Sequence, residues 1–141
     1  MEAGSTATRL IVLRERDVPG GANIGLIDTV ARYALDHGYH VVVEGILYAS
    51  HYGPMLAALA RDHRGRTCHY YLDVPFAETL RRHATKAEAG RFGETELRDW
   101  YRPLDVLPDE VETIIPASST LDATVERILR EAGLAPATDA G

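Results

Sequence analysis

Apolar positions along the chain come in short blocks whose spacing alternates between strand-like and helix-like. Arg9 to Leu13 (RLIVL) is a short apolar, β-branched run and reads as a buried strand. A charged stretch follows, and then Pro19-Gly20-Gly21, a clear breaker. Leu26, Ile27, Val30, Ala31, Ala34 and Leu35 recur at helical spacing, which predicts a helix from near Asn23. His37-Gly38 supplies its stop, with glycine where a left-handed backbone is tolerated. Tyr39 to Val43 (YHVVV) is almost continuously apolar, as in a parallel strand covered on both faces, and it ends at Glu44-Gly45.

Met55, Leu56, Leu59 and Ala60 mark a second helix, and Thr67 to Leu72 (TCHYYL) reads as the next strand. Asp73 after that strand is read as the N-cap of a helix with Pro75 in its first turn, continued by Phe76, Thr79, Leu80 and His83. Residues 84–108 are polar and arginine-bearing, with one helical piece around Glu94 to Tyr101. They read as an excursion outside the core. Val111 to Ile115 is a final strand, and Leu121, Val125, Ile128 and Leu129 line a final helix ending before Gly133. The alternation of strand and helix predicts a parallel sheet with helices on both faces. A single α/β domain is expected over 1–134, with 135–141 a flexible tail.

Composition narrows the functional classes. The net charge of -6 argues against a surface for nucleic acid, because binding the phosphate backbone needs clustered positive charge. No run of about 18 apolar residues or secretion signal is visible, so no membrane partner and a cytoplasmic location are expected. Cys68 is the only cysteine, which excludes an intrachain disulfide, and it reads as a buried thiol. The histidines 37, 40, 51, 63, 69 and 83 show no helical zinc spacing with a third ligand, so no metal site is assigned to them. No serine lies in a Gly-x-Ser-x-Gly elbow.

Ligands of open α/β sheets bind beyond the carboxyl ends of the strands, and the acidic residues there are Glu44 and Asp73. Glu44 follows three valines and precedes a glycine, a position suited to a general base or a magnesium-water ligand, and this reading is preferred to a helix cap or ion-pair partner. The second constellation is basic: Arg81, Arg82, Lys86, Arg91, Arg98 and Arg102. Arg82 with Lys86, and Arg98 with Arg102, are four apart, so each pair is expected on one helical face and together they could clamp a triphosphate. Glu78, Glu88, Glu94, Glu96 and Asp99 lie among them, and surface ion pairing explains the same spacing. Trp100 and Tyr101 read as packing residues.

Taken together, Val41-Val42-Val43-Glu44-Gly45-Ile46-Leu47, the run Tyr71 to Phe76 leading into Thr79 to Lys86, then Phe92-Gly93 and Trp100 to Asp105 are the residues of a resemblance. Over roughly residues 15 to 131 the chain resembles bacterial P-loop kinases of the zeta-toxin-like, small-molecule kinase type. The resemblance implies a three-layer α/β domain with a mostly parallel sheet and an arginine-bearing helical lid at about 84–108. It implies ATP and Mg2+ as cofactors if the chain is active, and a small-molecule or other hydroxyl acceptor. It further implies that Arg82 lies against adenine, that Lys86, Arg91, Arg98 and Arg102 serve the nucleotide, that Ser118 in the loop 117–120 flanks the adenine, and that Glu44 lies near acceptor and magnesium.

The motif Gly-x-x-x-x-Gly-Lys-[Ser/Thr], whose amides cradle the phosphates in such kinases, has no match here, and Lys86 is the only lysine. RLIVLR passes directly into ERDVPGG, as though an internal segment were absent. Its loss removes several charge-assisted hydrogen bonds of about 1.5 to 3 kcal/mol each, so tight ATP binding is not expected. An unpaired neighbour of the first strand predicts an exposed edge or a homodimer. The alternative to an impaired phosphotransferase is a non-catalytic remnant that binds a ligand or partner; a shortened form of a complete kinase fits the same junction.

Overall fold

The structure, a computed structural model, describes residues 17–134; the strand expected at Arg9 to Leu13 lies outside the described residues. The described part runs α1 (Ala22–Asp36), α2 (Ala49–Asp62), β1 (His69–Asp73), α3 (Phe76–His83), α4 (Glu94–Trp100), β2 (Glu112–Pro116) and α5 (Leu121–Glu131). β1 and β2 pair in parallel, from His69 with Glu112 to Asp73 with Pro116, and form a two-stranded sheet among the described residues. The mixed helix and strand content agrees with the α/β reading.

One expected strand is replaced by irregular backbone. Residues 39–44 carry no ladder, and the side chain of Val42 is 87% exposed. A β-branched run becomes a strand only when a neighbour accepts and donates its backbone hydrogen bonds, and among the described residues none does.

The helix ends follow local chemistry. α1 stops where Gly38, at φ 81°, turns left-handed; its N–H donates to Leu35 O, and the Tyr39 N–H reaches Ala34 O. α5 ends the same way at Gly133 (φ 74°), with Gly133 N donating to Arg130 O and Leu134 N to Leu129 O. Thr120 caps the start of α5 by accepting from Ala123 N at 3.2 Å. Asp73 does not cap α3: Pro75 is the N-cap, and no side chain caps the helix start.

α1 and α2 pack through Ile24, Ala31 and Tyr52, all nearly fully buried. Arg32 ties them at the far end, donating to Asp28 on its own helix at 2.9 Å and to Asp62 on α2 at 3.0 Å. Tyr52 donates to Asp17 at 2.9 Å. Ile115, 3% exposed, is the buried residue of the sheet. α5 is fastened to the start of β1: Tyr70 donates to Glu131 at 2.6 Å, and Arg66 donates to the Glu131 carbonyl at 2.7 Å. Cys68, expected buried, is exposed, because the chain between α2 and β1 runs over the surface.

Candidate functional site

The parallel register puts the carboxyl ends of both strands on one rim, where β1 leads into α3 and β2 into the turn 117–120. Arg82, in the last turn of α3, crosses to that turn: its Nη2 donates to Ala117 O at 3.0 Å, while its Nε donates to Glu78 Oε1 at 2.7 Å. Arg81 shares Glu78. Hydrogen bonds from Arg81 and then Arg82 draw the Glu78 carboxyl down to about 2. Ser118 is exposed in the turn beside Ala117.

The remaining basic residues divide. α3 ends at His83 and α4 at Trp100, so neither Arg82 with Lys86 nor Arg98 with Arg102 shares one continuous helix face, contrary to the spacing argument. Arg98 is committed to Glu94 at 2.6 Å and lies 4.6 Å over the Phe76 ring, the surface pairing that the sequence also allowed. Lys86 and Arg91 are exposed, and their side chains have no hydrogen bond to another described residue. Glu44 is exposed on the irregular segment before α2.

Residues 84–108 are more than a polar excursion. His83 is buried, stacked on Phe92 at 4.5 Å, with Nε2 2.9 Å from Phe92 O; Phe92 meets Trp100 at 5.1 Å. Tyr101 packs edge-on to Phe76 at 5.4 Å and donates to Val74 O at 3.0 Å. The aromatic residues therefore pack, and they seat the arginine-bearing segment on α3. Leu107 closes it onto α2, where a Cβ on Gly53 would lie 3.5 Å from Leu107 Cδ2.

A second concave region lies between the first turn of α2 and the turn after α4. It has a volume of about 270 Å³ and is lined by Tyr48, Ser50, His51, Arg102 and Asp105. β1 holds it open: the Tyr71 hydroxyl donates to Arg102 O at 3.1 Å and accepts from Asp105 N at 3.3 Å. Burial raises the Tyr71 phenol above its ordinary value. Asp105 Oδ2 accepts from Ala49 N at 3.1 Å, and Tyr48 donates to Trp100 O at 2.8 Å. Arg102 lies over the Tyr48 ring at 5.3 Å.

The sequence singled out Arg102 but not its companions. Tyr48, Ser50 and His51 sit in one helical turn and Asp105 in a short connection, so no periodic pattern marks them; the nearest signal was their position just after Glu44-Gly45. Among the described residues no group of three or more His, Cys, Asp or Glu side chains is placed to hold a metal, and no helix is long and apolar enough to cross a membrane. No protein-family model matches the chain, and no curated protein or solved structure matches it either.

Proposed function

We propose that the chain is a kinase-like phosphotransferase module of a three-layer α/β type, which takes an ATP-like nucleotide at the corner between Arg82 and the turn 117–120. The observation that carries this reading is the 3.0 Å bond from Arg82 to Ala117 O, which brings the last turn of α3 against the loop beyond a strand's carboxyl end. That rim is where open α/β sheets bind ligands. Ser118 is exposed there to a base or ribose, and Lys86 and Arg91 remain for phosphate oxygens.

In this reading the terminal phosphoryl group passes from the nucleotide to a hydroxyl of a small acceptor, and Glu44 takes the hydroxyl proton. Magnesium takes one or two carboxylates and fills its shell with water and substrate phosphates, so a lone Glu44 fits it only together with the nucleotide. When bound, it would neutralise phosphate charge. Without the glycine-rich cradle the β- and γ-phosphates are held by side chains alone, and affinity is expected to be about millimolar, near 4 kcal/mol.

A second reading, a ligand-binding remnant without turnover, is favoured by the unmatched cradle motif. Calorimetric titration with magnesium-ATP tests the first: saturable binding that Arg82→Ala weakens and Arg61→Ala leaves alone supports it. No saturable heat at millimolar nucleotide removes it. Phosphate release that disappears in Glu44→Gln selects the enzyme; binding with no turnover selects the remnant.

A further inference from the structure

We propose that the Tyr48–Asp105 cleft binds a small hydroxylated compound carrying a phosphate monoester, and that this compound is the phosphoryl acceptor. The second half rests on the kinase-like reading; the first half does not.

The cleft supplies donors held in place before any ligand arrives. Nη1 of Arg102 is spent on the carbonyls of Asp99 and Tyr101, at 2.7 and 3.0 Å. Those bonds and the Tyr48 ring fix the guanidinium plane, leaving Nε and Nη2 without a partner among the described residues. A fixed guanidinium edge matches phosphate oxygens in a fork. Across the cleft, the Ser50 N–H in the first turn of α2 has no acceptor among the described residues, and the Ser50 hydroxyl is exposed beside it. A tetrahedral phosphate offers enough oxygens for these donors at once.

Two further features shape the cleft. The His51 ring lines the cleft and is braced edge-on by Tyr48 at 5.6 Å. Leu104, between Arg102 and Asp105, has a left-handed φ of 45° that a leucine rarely adopts. Backbone strain of this kind persists where the surroundings over-determine it, here through Tyr71 bonding both ends of the turn.

The opposite wall is an acceptor. Asp105 binds Ala49 N through Oδ2, while Oδ1 has no described partner and can accept a hydrogen bond from a ligand hydroxyl. A cleft with a cationic fork at one side and a carboxylate at the other selects a molecule with an anionic end and a hydroxylated end. Its volume suits a compound of monosaccharide size or less. Arg102 is thereby taken out of the nucleotide set.

The test is calorimetric titration of the full chain with glycerol 3-phosphate, with glycerol and inorganic phosphate as controls and with saturating ATP as a further arm. Saturable binding of glycerol 3-phosphate, stronger than either control and kept in ATP, is expected. Arg102→Gln should weaken it by about tenfold or more, and Asp105→Asn should reduce its preference over inorganic phosphate. Equal binding of inorganic phosphate overturns the hydroxyl half, and competitive displacement by ATP overturns the separate site. No saturable binding, or binding indifferent to Arg102→Gln in a chain that still melts normally, overturns the cleft. If glycerol 3-phosphate binds and ATP does not, the cleft stands and the kinase-like reading fails.

Discussion

Glu78 Oε1 accepts from Arg82 Nε at 2.7 Å, and this bond sets the direction in which Arg82 reaches the turn after β2. The carboxyl is drawn down to about 2 from 4.5, first by Arg81 and then by Arg82. Because the folded value lies below the unfolded one, its stabilising contribution is complete above pH 4.5 and is lost as pH falls through 2. Melting curves of the native chain and Glu78→Gln should differ most at neutral pH and converge in that acid window. A gap that stays constant to pH 2 would mean the carboxylate is not held this way. Glu78→Gln should also weaken magnesium-ATP binding, less than Arg82→Ala does.

Tyr52 is the opposite case. Burial, then the hydrogen bond to Asp17, push its phenol up to about 12 from 10. A raised value in the folded state means stability that is present below pH 10 and lost as pH rises through 12. A phenolate absorbance titration should show a late step near pH 12 that Tyr52→Phe removes. That substitution keeps the ring but leaves Asp17 Oδ2 without its donor, while Asn23 still donates to Oδ1, at a cost of about 1 to 3 kcal/mol. Unfolding in urea measures the loss, and a change below experimental error would refute the role given to the hydroxyl.

Gly38 offers a test of backbone strain without packing. Its φ is 81°, and a Cβ built there meets nothing within 4 Å. Gly38→Ala should therefore destabilise by about 1 kcal/mol through conformation alone, and Gly38→Asn by less, since asparagine tolerates the left-handed region better. If alanine is neutral in a denaturant titration, α1 does not end in the left-handed turn described.

What the sequence disclosed were features fixed by near neighbours. The stripe from Leu26 to Leu35, the stop at Gly38, the α5 stripe ending before Gly133 and the runs of β1 and β2 all depend on residues a few positions apart, and all have counterparts in the structure. What it hid were features set by distant partners. Nothing near Arg82 in the chain announces Ala117, and nothing near Tyr71 announces that its hydroxyl spans Arg102 and Asp105. The strand expected at Tyr39 to Val43 failed for the same reason, since pairing is not a local property. Spacing misled for Arg82 with Lys86, because a four-residue interval means a shared face only while the helix continues.

The contrast between Ile115 and Val42 puts that last lesson to measurement. Both are β-branched and both stand in runs that read as strands, yet Ile115 is 3% exposed and Val42 is 87% exposed. Ile115 is paired in the β1–β2 ladder and covered, so Ile115→Ala removes buried methyl groups and leaves a cavity, costing about 2 to 5 kcal/mol. Val42 has little apolar area removed from water, and Val42→Thr should stay within about 0.5 kcal/mol of the native chain. Urea unfolding of both variants decides the matter. A loss at Val42 comparable to that at Ile115 would show that the valine run is covered in solution, and that the pattern of the sequence had described it correctly.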